Sequence, residues 1–182
     1  MTGNFKITYE YLKEIGACSM GLTAFATRFP NGAEYQETLD ECAKEHHEDF
    51  AMWLMSKMGK TTDTLVFDEE IQDSELSVIF AGDVEFKKKA SLRFVLAGGS
   101  IEAGGSIKAG GSIEAGGSIE AGEFIEAGEF IEAGDNYGIF AGIRIKICNW
   151  VPYAMVSASK KPKNLISGHW VGMDGDQSCM NT

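Results

Sequence analysis

The chain has 182 residues, 44% of them apolar, and a formal net charge of −11. It is long enough to bury a core as one domain, or as one domain with an appendage. No opening apolar run resembles a signal peptide and no stretch approaches a membrane span, while the acidic balance makes free duplex nucleic acid and phosphate-rich membrane poor partners and a basic protein a better one.

Residues 8–59 read as a helical module. Tyr9, Tyr11, Leu12 and Ile15, then Leu22, Phe25 and Phe29, recur at helical spacing, and Phe29-Pro30-Asn31-Gly32 is a turn. Tyr35, Leu39 and Cys42 mark a third helix, and Phe50, Trp53, Leu54 and Met58 a fourth, with Glu48 or Asp49 favouring its start through the helix dipole. From Thr64 the texture becomes β-rich, in the runs 65–67, 76–80, 84–86 and 92–95.

Residues 97–134 then repeat one six-residue phrase: AGGSIE, AGGSIK, AGGSIE, AGGSIE, AGEFIE, AGEFIE, AG. A fixed short period means one structural unit stacked on the next, and six residues is too short for a helical repeat. Strand side chains alternate between faces, so Ile101 and Ala103 share one face and Ser100 and Glu102 the other. A carboxylate row is costly to bury, which puts Ile and Ala inside, and Gly104-Gly105 marks a corner. Three such sides make a coil of about eighteen residues and two a flat coil of about twelve. Eighteen places Lys108 beside Glu126 and then Arg144, Ile101 on Ile119 and Tyr137, and Ile107 on Ile125 and Ile143. Twelve stacks more like charge, at about 1 kcal/mol per pair even in bulk water. The pattern therefore predicts an α+β protein, a short three-sided β-solenoid (parallel β-helix) with an N-terminal helical module, and leaves the hand of the solenoid open. The expected domains are residues 1–60, helical; 61–157, solenoid; and 158–182, a cap strand and tail.

After the repeat, residues 139–147 continue the strand alternation, Asn149-Trp150-Val151-Pro152 breaks it, residues 160–164 read as a loop, and 165–171 as a last strand that caps the solenoid. Cys18, Cys42, Cys148 and Cys179 are widely spaced with no C-x-x-C pair, and read as reduced thiols in the cytoplasm.

The repeat resembles that of the hexapeptide acyltransferases, yet Ala103 follows Ile101 where that family places a small residue two positions before the aliphatic one. The catalytic His which that resemblance implies at the solenoid is missing, since His46, His47 and His169 lie outside the repeat. The chain as a whole resembles a group of uncharacterised phage and prophage proteins. The likeness rests on Ala17-Cys18 through Phe25, Phe29-Pro30-Asn31-Gly32, Asp49-Phe50-Ala51-Met52-Trp53-Leu54, the IEAG run and Ile139-Phe140-Ala141-Gly142. It implies a small phage-borne protein and carries no established activity; inhibition of host defence, anti-CRISPR-like, follows by analogy.

Charge concentrates in residues 99–135, with eight acidic groups and one basic. The candidate partner-binding residues are Glu114, Glu120, Glu123, Glu126, Glu129, Glu132 and Asp135, with Phe124 and Phe130, where Phe replaces an outward Ser twice in succession. A solvated face explains the acids, and burial by another part of the chain explains the aromatics. The functional readings are an acidic surface that imitates nucleic acid in a basic groove, with stacked strands every ~4.8 Å loosely matching duplex phosphates every ~3.4 Å, and two exposed aromatics that anchor a partner.

Cys42, His46 and His47 lack a second ligand pair, Asp174-Gly175-Asp176 lacks the rest of a calcium loop, and no Gly-Lys-Ser/Thr completes a phosphate loop. The expectation is a non-enzymatic protein with no cofactor and no metal. Its expected partner is a host protein or nucleoprotein complex with a basic surface, bound without direct contact to nucleic acid or membrane. A self-assembling scaffold is the alternative, and oligomeric state stays open.

Overall fold

The computed structural model describes residues 6–172. The chain forms two compact units, Met1–Gly59 and Lys60–Thr182. The Asp174-Gly175-Asp176 motif and Cys179 lie outside the described residues.

The first unit holds four helices: α1 (Tyr9–Glu14), α2 (Ser19–Arg28), α3 (Tyr35–Lys44) and α4 (Glu48–Met58). Each start has a local cause. The Thr8 hydroxyl accepts the N–H of Tyr11 at 3.2 Å, the Cys18 thiol accepts that of Gly21 at 3.4 Å, and the Glu37 carboxylate accepts that of Glu34 at 3.1 Å. Glu48 and Asp49 occupy the first turn of α4, where the helix dipole favours them. Leu12, Leu22, Phe25, Leu39 and Leu54 are buried. The turn before α3 needs Gly32: its φ is +75°, and a Cβ there would lie 2.6 Å from the Ile7 carbonyl oxygen.

The second unit is a parallel β-solenoid with three sides and six coils. The first two coils are β1 (Thr64–Phe67) with β2 (Ile71–Phe80), and β3 (Asp83–Phe86) with β4 (Ala90–Ala97). The third is β5 (Ile101–Ala103), β6 (Ile107–Ala109) and β7 (Ile113–Ala115), and the fourth β8 (Ile119–Ala121), β9 (Ile125–Ala127) and β10 (Ile131–Glu132). The fifth is β11 (Ile139–Phe140) and β12 (Met155–Ser157), separated by an excursion that contains α5 (Trp150–Tyr153), and the sixth is β13 (Leu165–Ser167) and β14 (His169–Trp170).

The register is the eighteen-residue one: Ile101 pairs with Ile119, Lys108 with Glu126 and Ile113 with Ile131. Inside, the Ile and Ala columns form one core, extended downward by Phe67 and Phe86, whose rings stack at 5.1 Å. In the repeat coils the corners begin with glycine, and at four of them the coil beneath is in the way. A Cβ on Gly116, Gly122, Gly128 or Gly134 would overlap the carbonyl oxygen of Gly98, Gly104, Gly110 or Gly116. The second corner position is where Glu123, Glu129 and Asp135 enter.

Two features differ from the sequence reading. β2 and β4 each span two sides as one strand, without a glycine corner: Ala90–Leu92 pairs with β6 and Val95–Ala97 with β7. After Gly134 the register moves. Asp135-Asn136-Tyr137-Gly138 is longer than the earlier corners, so Ile139 rather than Tyr137 stacks on Ile119. At Gly142, φ +76°, the chain leaves the coil, and Val156 rather than Ile143 stacks on Ile125. The strand expected over 165–171 is interrupted by Gly168, φ +134°.

Candidate partner-binding surface

A three-sided coil separates what the linear repeat placed together, because successive hexads face successive sides. The outward column of the first side reads Glu85, Glu102, Glu120, Phe140. That of the second reads Ser91, Lys108, Glu126, Ser157, and that of the third Leu96, Glu114, Glu132. The five repeat glutamates thus form no single row. The longest run of stacked carboxylates is Glu85, Glu102 and Glu120, and it is partly neutralised: Lys87 pairs with Glu85, and Arg144 reaches Glu102 at 3.8 Å. Arg144 therefore sits beside Glu102 and not above Glu126, a consequence of the excursion that begins at Gly142.

The predicted residues fall into three groups. Glu114 is buried, at 6% exposure, between Leu96 and Glu132 in its column, so it is not part of an accessible face. Four others are held by their own chain. Lys108 pairs with Glu126 at 2.7 Å and Lys89 with Glu123 at 3.4 Å. Ser106 donates to Glu123 at 2.6 Å, and Ser118 to Glu120 at 3.0 Å. Phe124 is half-buried at the wall of a groove of about 370 Å³ that also touches Ser106 and Lys108.

The third group is Glu129, Phe130, Glu132 and Asp135, all exposed in the fourth coil. Phe130 occupies the corner column of Phe94 and Ser112, both buried, yet is itself 43% exposed. The Ser112 hydroxyl donates to the Glu129 carboxylate at 3.1 Å and so orients it beside the ring. In the next coil the third side is taken by the loop 158–164, tied down where the Ser159 N–H donates to the Glu129 carbonyl at 2.7 Å. That loop carries Lys160, Lys161 and Lys163, all exposed. An exposed aromatic ring thus shares one side of the solenoid with three exposed carboxylates and with the loop that carries three ammonium groups. Aromatic centres with polar rims are the usual anatomy of protein interfaces. The sequence pointed to Phe130 and its acids but gave no sign that the lysine loop would return to the same side.

Residues 1–62 match the family described as the YdhT N-terminal domain, which spans the helical unit. No curated protein and no solved structure matches the chain. Among the described residues no group of three or more His, Cys, Asp or Glu is arranged to hold a metal, and no helix is long and apolar enough to cross a membrane.

Proposed function

We propose that this is a non-enzymatic, phage-type binding protein of the bacterial cytoplasm, whose solenoid docks on a basic surface of a host nucleic-acid-binding or defence complex and blocks it. The observation that carries the proposal is the exposed Phe130 between Glu129 and Glu132. The exposed part of the ring adds nothing to the fold, whereas burying it in a partner contributes about 1 kcal/mol by area alone. The net charge of −11 favours approach to a cationic target. The spread of glutamates over three sides favours a compact contact through one corner over imitation of a phosphate row. Likeness to phage and prophage proteins supplies the host setting.

Affinity capture from host lysate with the wild-type chain, beside a Phe130→Ser, Glu132→Lys variant of unchanged circular dichroism, tests this. A specific host complex retained by the wild type and lost by the variant is expected; equal recovery by both would refute the assignment of this corner. Self-assembly is the second reading, favoured by Ile166, 68% exposed on the last coil. Light scattering separates the two, since a concentration-independent monomer argues against it.

A further inference from the structure

The helical unit contains a cleft of about 900 Å³ that neither the repeat nor the solenoid surface explains. Its making starts on α2, where Gly21, Ala24 and Thr27 bring small side chains to the cleft at three-residue spacing. Gly21 is held small by α4: a Cβ there would lie 3.1 Å from the Phe50 ring. The apolar lining is aromatic. Phe25 and Phe29 have ring centroids 5.3 Å apart, and Phe50 stacks on Trp53 at 5.4 Å. Met20, also lining the cleft, is 79% exposed, and an exposed flexible thioether suits an adaptable contact with an apolar guest.

Charge identifies the guest. The lining includes Glu41, Glu45, Glu48 and Asp49 against one guanidinium, Arg28, which is engaged by Glu41 and Glu45. With the histidines neutral, the cleft is net negative by three formal charges. An acyl chain with a carboxylate or phosphate head is repelled by such a lining. A segment with apolar side chains on one face and lysine or arginine on its flanks is complementary to it. The volume is near the upper end of ordinary ligand sites, about 300–1,000 Å³, which accommodates several side chains rather than one. Anchors at i, i+3 or i+4 and i+7 on a helix are the recurring way to fill a groove between helices.

We propose that the helical unit is a receptor for a cationic amphipathic helix of a partner protein, seated in the cleft among α2, α3 and α4. This site lies in the other unit from the Phe130 corner and does not depend on it.

The test uses the full chain and a fluorescein-labelled peptide of about 16 residues, about 24 Å long as a helix, with leucines at helical spacing and lysines elsewhere. A second peptide replaces each lysine with glutamate. Saturable binding of the lysine peptide and none of the glutamate peptide is expected, by fluorescence anisotropy. Ala24→Trp, which fills the cleft, is expected to weaken binding at least about tenfold, the loss of a buried anchor. Glu45→Gln with Asp49→Asn is expected to weaken it and to flatten its dependence on salt. Phe130→Ser with Glu132→Lys leaves it unchanged. Absence of saturable binding, equal binding of both peptides, or loss in the solenoid variant with retention in Ala24→Trp would overturn the proposal. If Ala24→Trp does not fold, the carboxylate variant decides alone: binding and salt dependence unchanged in it refute the site.

Discussion

Replacing Gly128 with alanine probes why corners of the repeat begin with glycine. A Cβ at Gly128 would overlap the Gly110 carbonyl oxygen and stand 3.0 Å from its carbon. Carbon atoms rest at about 3.5–4.0 Å, so the two coils must part by at least about half an ångström at that corner. Two hydrogen bonds span it, from the N–H of Gly128 to Ala109 at 3.0 Å and from that of Glu129 to Gly111 at 3.2 Å. Their loss costs about 1 kcal/mol each, and the crowding about 1–3 kcal/mol. Stiffening of the unfolded chain returns about 0.4–1 kcal/mol, leaving a net loss of about 2–4.6 kcal/mol. The control is one coil below. Gly110 overlies β4, which runs straight through, and a Cβ there meets nothing nearer than the Arg93 oxygen at 3.9 Å. Neither glycine has a left-handed φ, so Gly110→Ala is expected to be neutral or stabilising by up to about 1 kcal/mol. Urea unfolding followed by circular dichroism measures both; with a slope of about 2 kcal/mol/M, Gly128→Ala lowers the midpoint by about 1–2 M. Equal behaviour of the two variants would refute the close-approach explanation.

Lys108→Glu sets two carboxylates on adjacent coils and is expected to destabilise by about 1 kcal/mol or less, a difference that shrinks with added salt. The swap Lys108→Glu with Glu126→Lys restores the loss, and thermal melts at two ionic strengths detect both effects. Cys42 is buried and its thiol is pushed up to about 12, chiefly by burial and further by Glu41 and Glu48. Iodoacetamide at pH 8 is therefore expected to modify Cys18 and Cys148, which are exposed, and to spare Cys42 until the chain is unfolded, as peptide mass mapping reports. Burial also pushes Tyr35 up to about 12 from 10.0, and its hydroxyl donates to the Gly59 carbonyl at 3.0 Å. The unfolded chain releases both protons first, so the helical unit is stable below about pH 9 and loses stability as pH rises towards 12. Tyr35→Phe is expected to reduce that alkaline slope while costing about 1 kcal/mol at neutral pH, read from helical ellipticity during an alkaline titration.

The regular coils were legible because three local signals agree: Ile and Ala alternate, glycine punctuates, and Lys108 meets Glu126 only in an eighteen-residue coil. Legibility failed where tertiary contacts decide. Nothing local shows that Ala90–Ala97 turns a corner without glycine, or that the longer corner after Gly134 and the departure at Gly142 carry Arg144 to Glu102. Among the site residues, the aromatic replacements at Phe124 and Phe130 look identical in sequence, but one lines a groove and the other stands in solvent. Glu114 reads as surface from its hexad and is buried by its position in the fold. The cleft of the helical unit was illegible for the opposite reason, since aromatics at helical spacing spell a packed core whether or not space remains between them.

A gene that spells near-identical six-residue phrases can gain or lose one by slipped copying. The interior does not register such a change, since isoleucine falls on isoleucine and alanine on alanine whichever side a hexad takes. The exterior does. One hexad inserted after Lys108 would set Glu120 in place of Glu126 above it and turn Phe130, its acids and the lysine loop together by a third of a revolution relative to the coils below. Only a change of three hexads restores every outer alignment. The core of this protein is thus indifferent to its own length, while its surface counts.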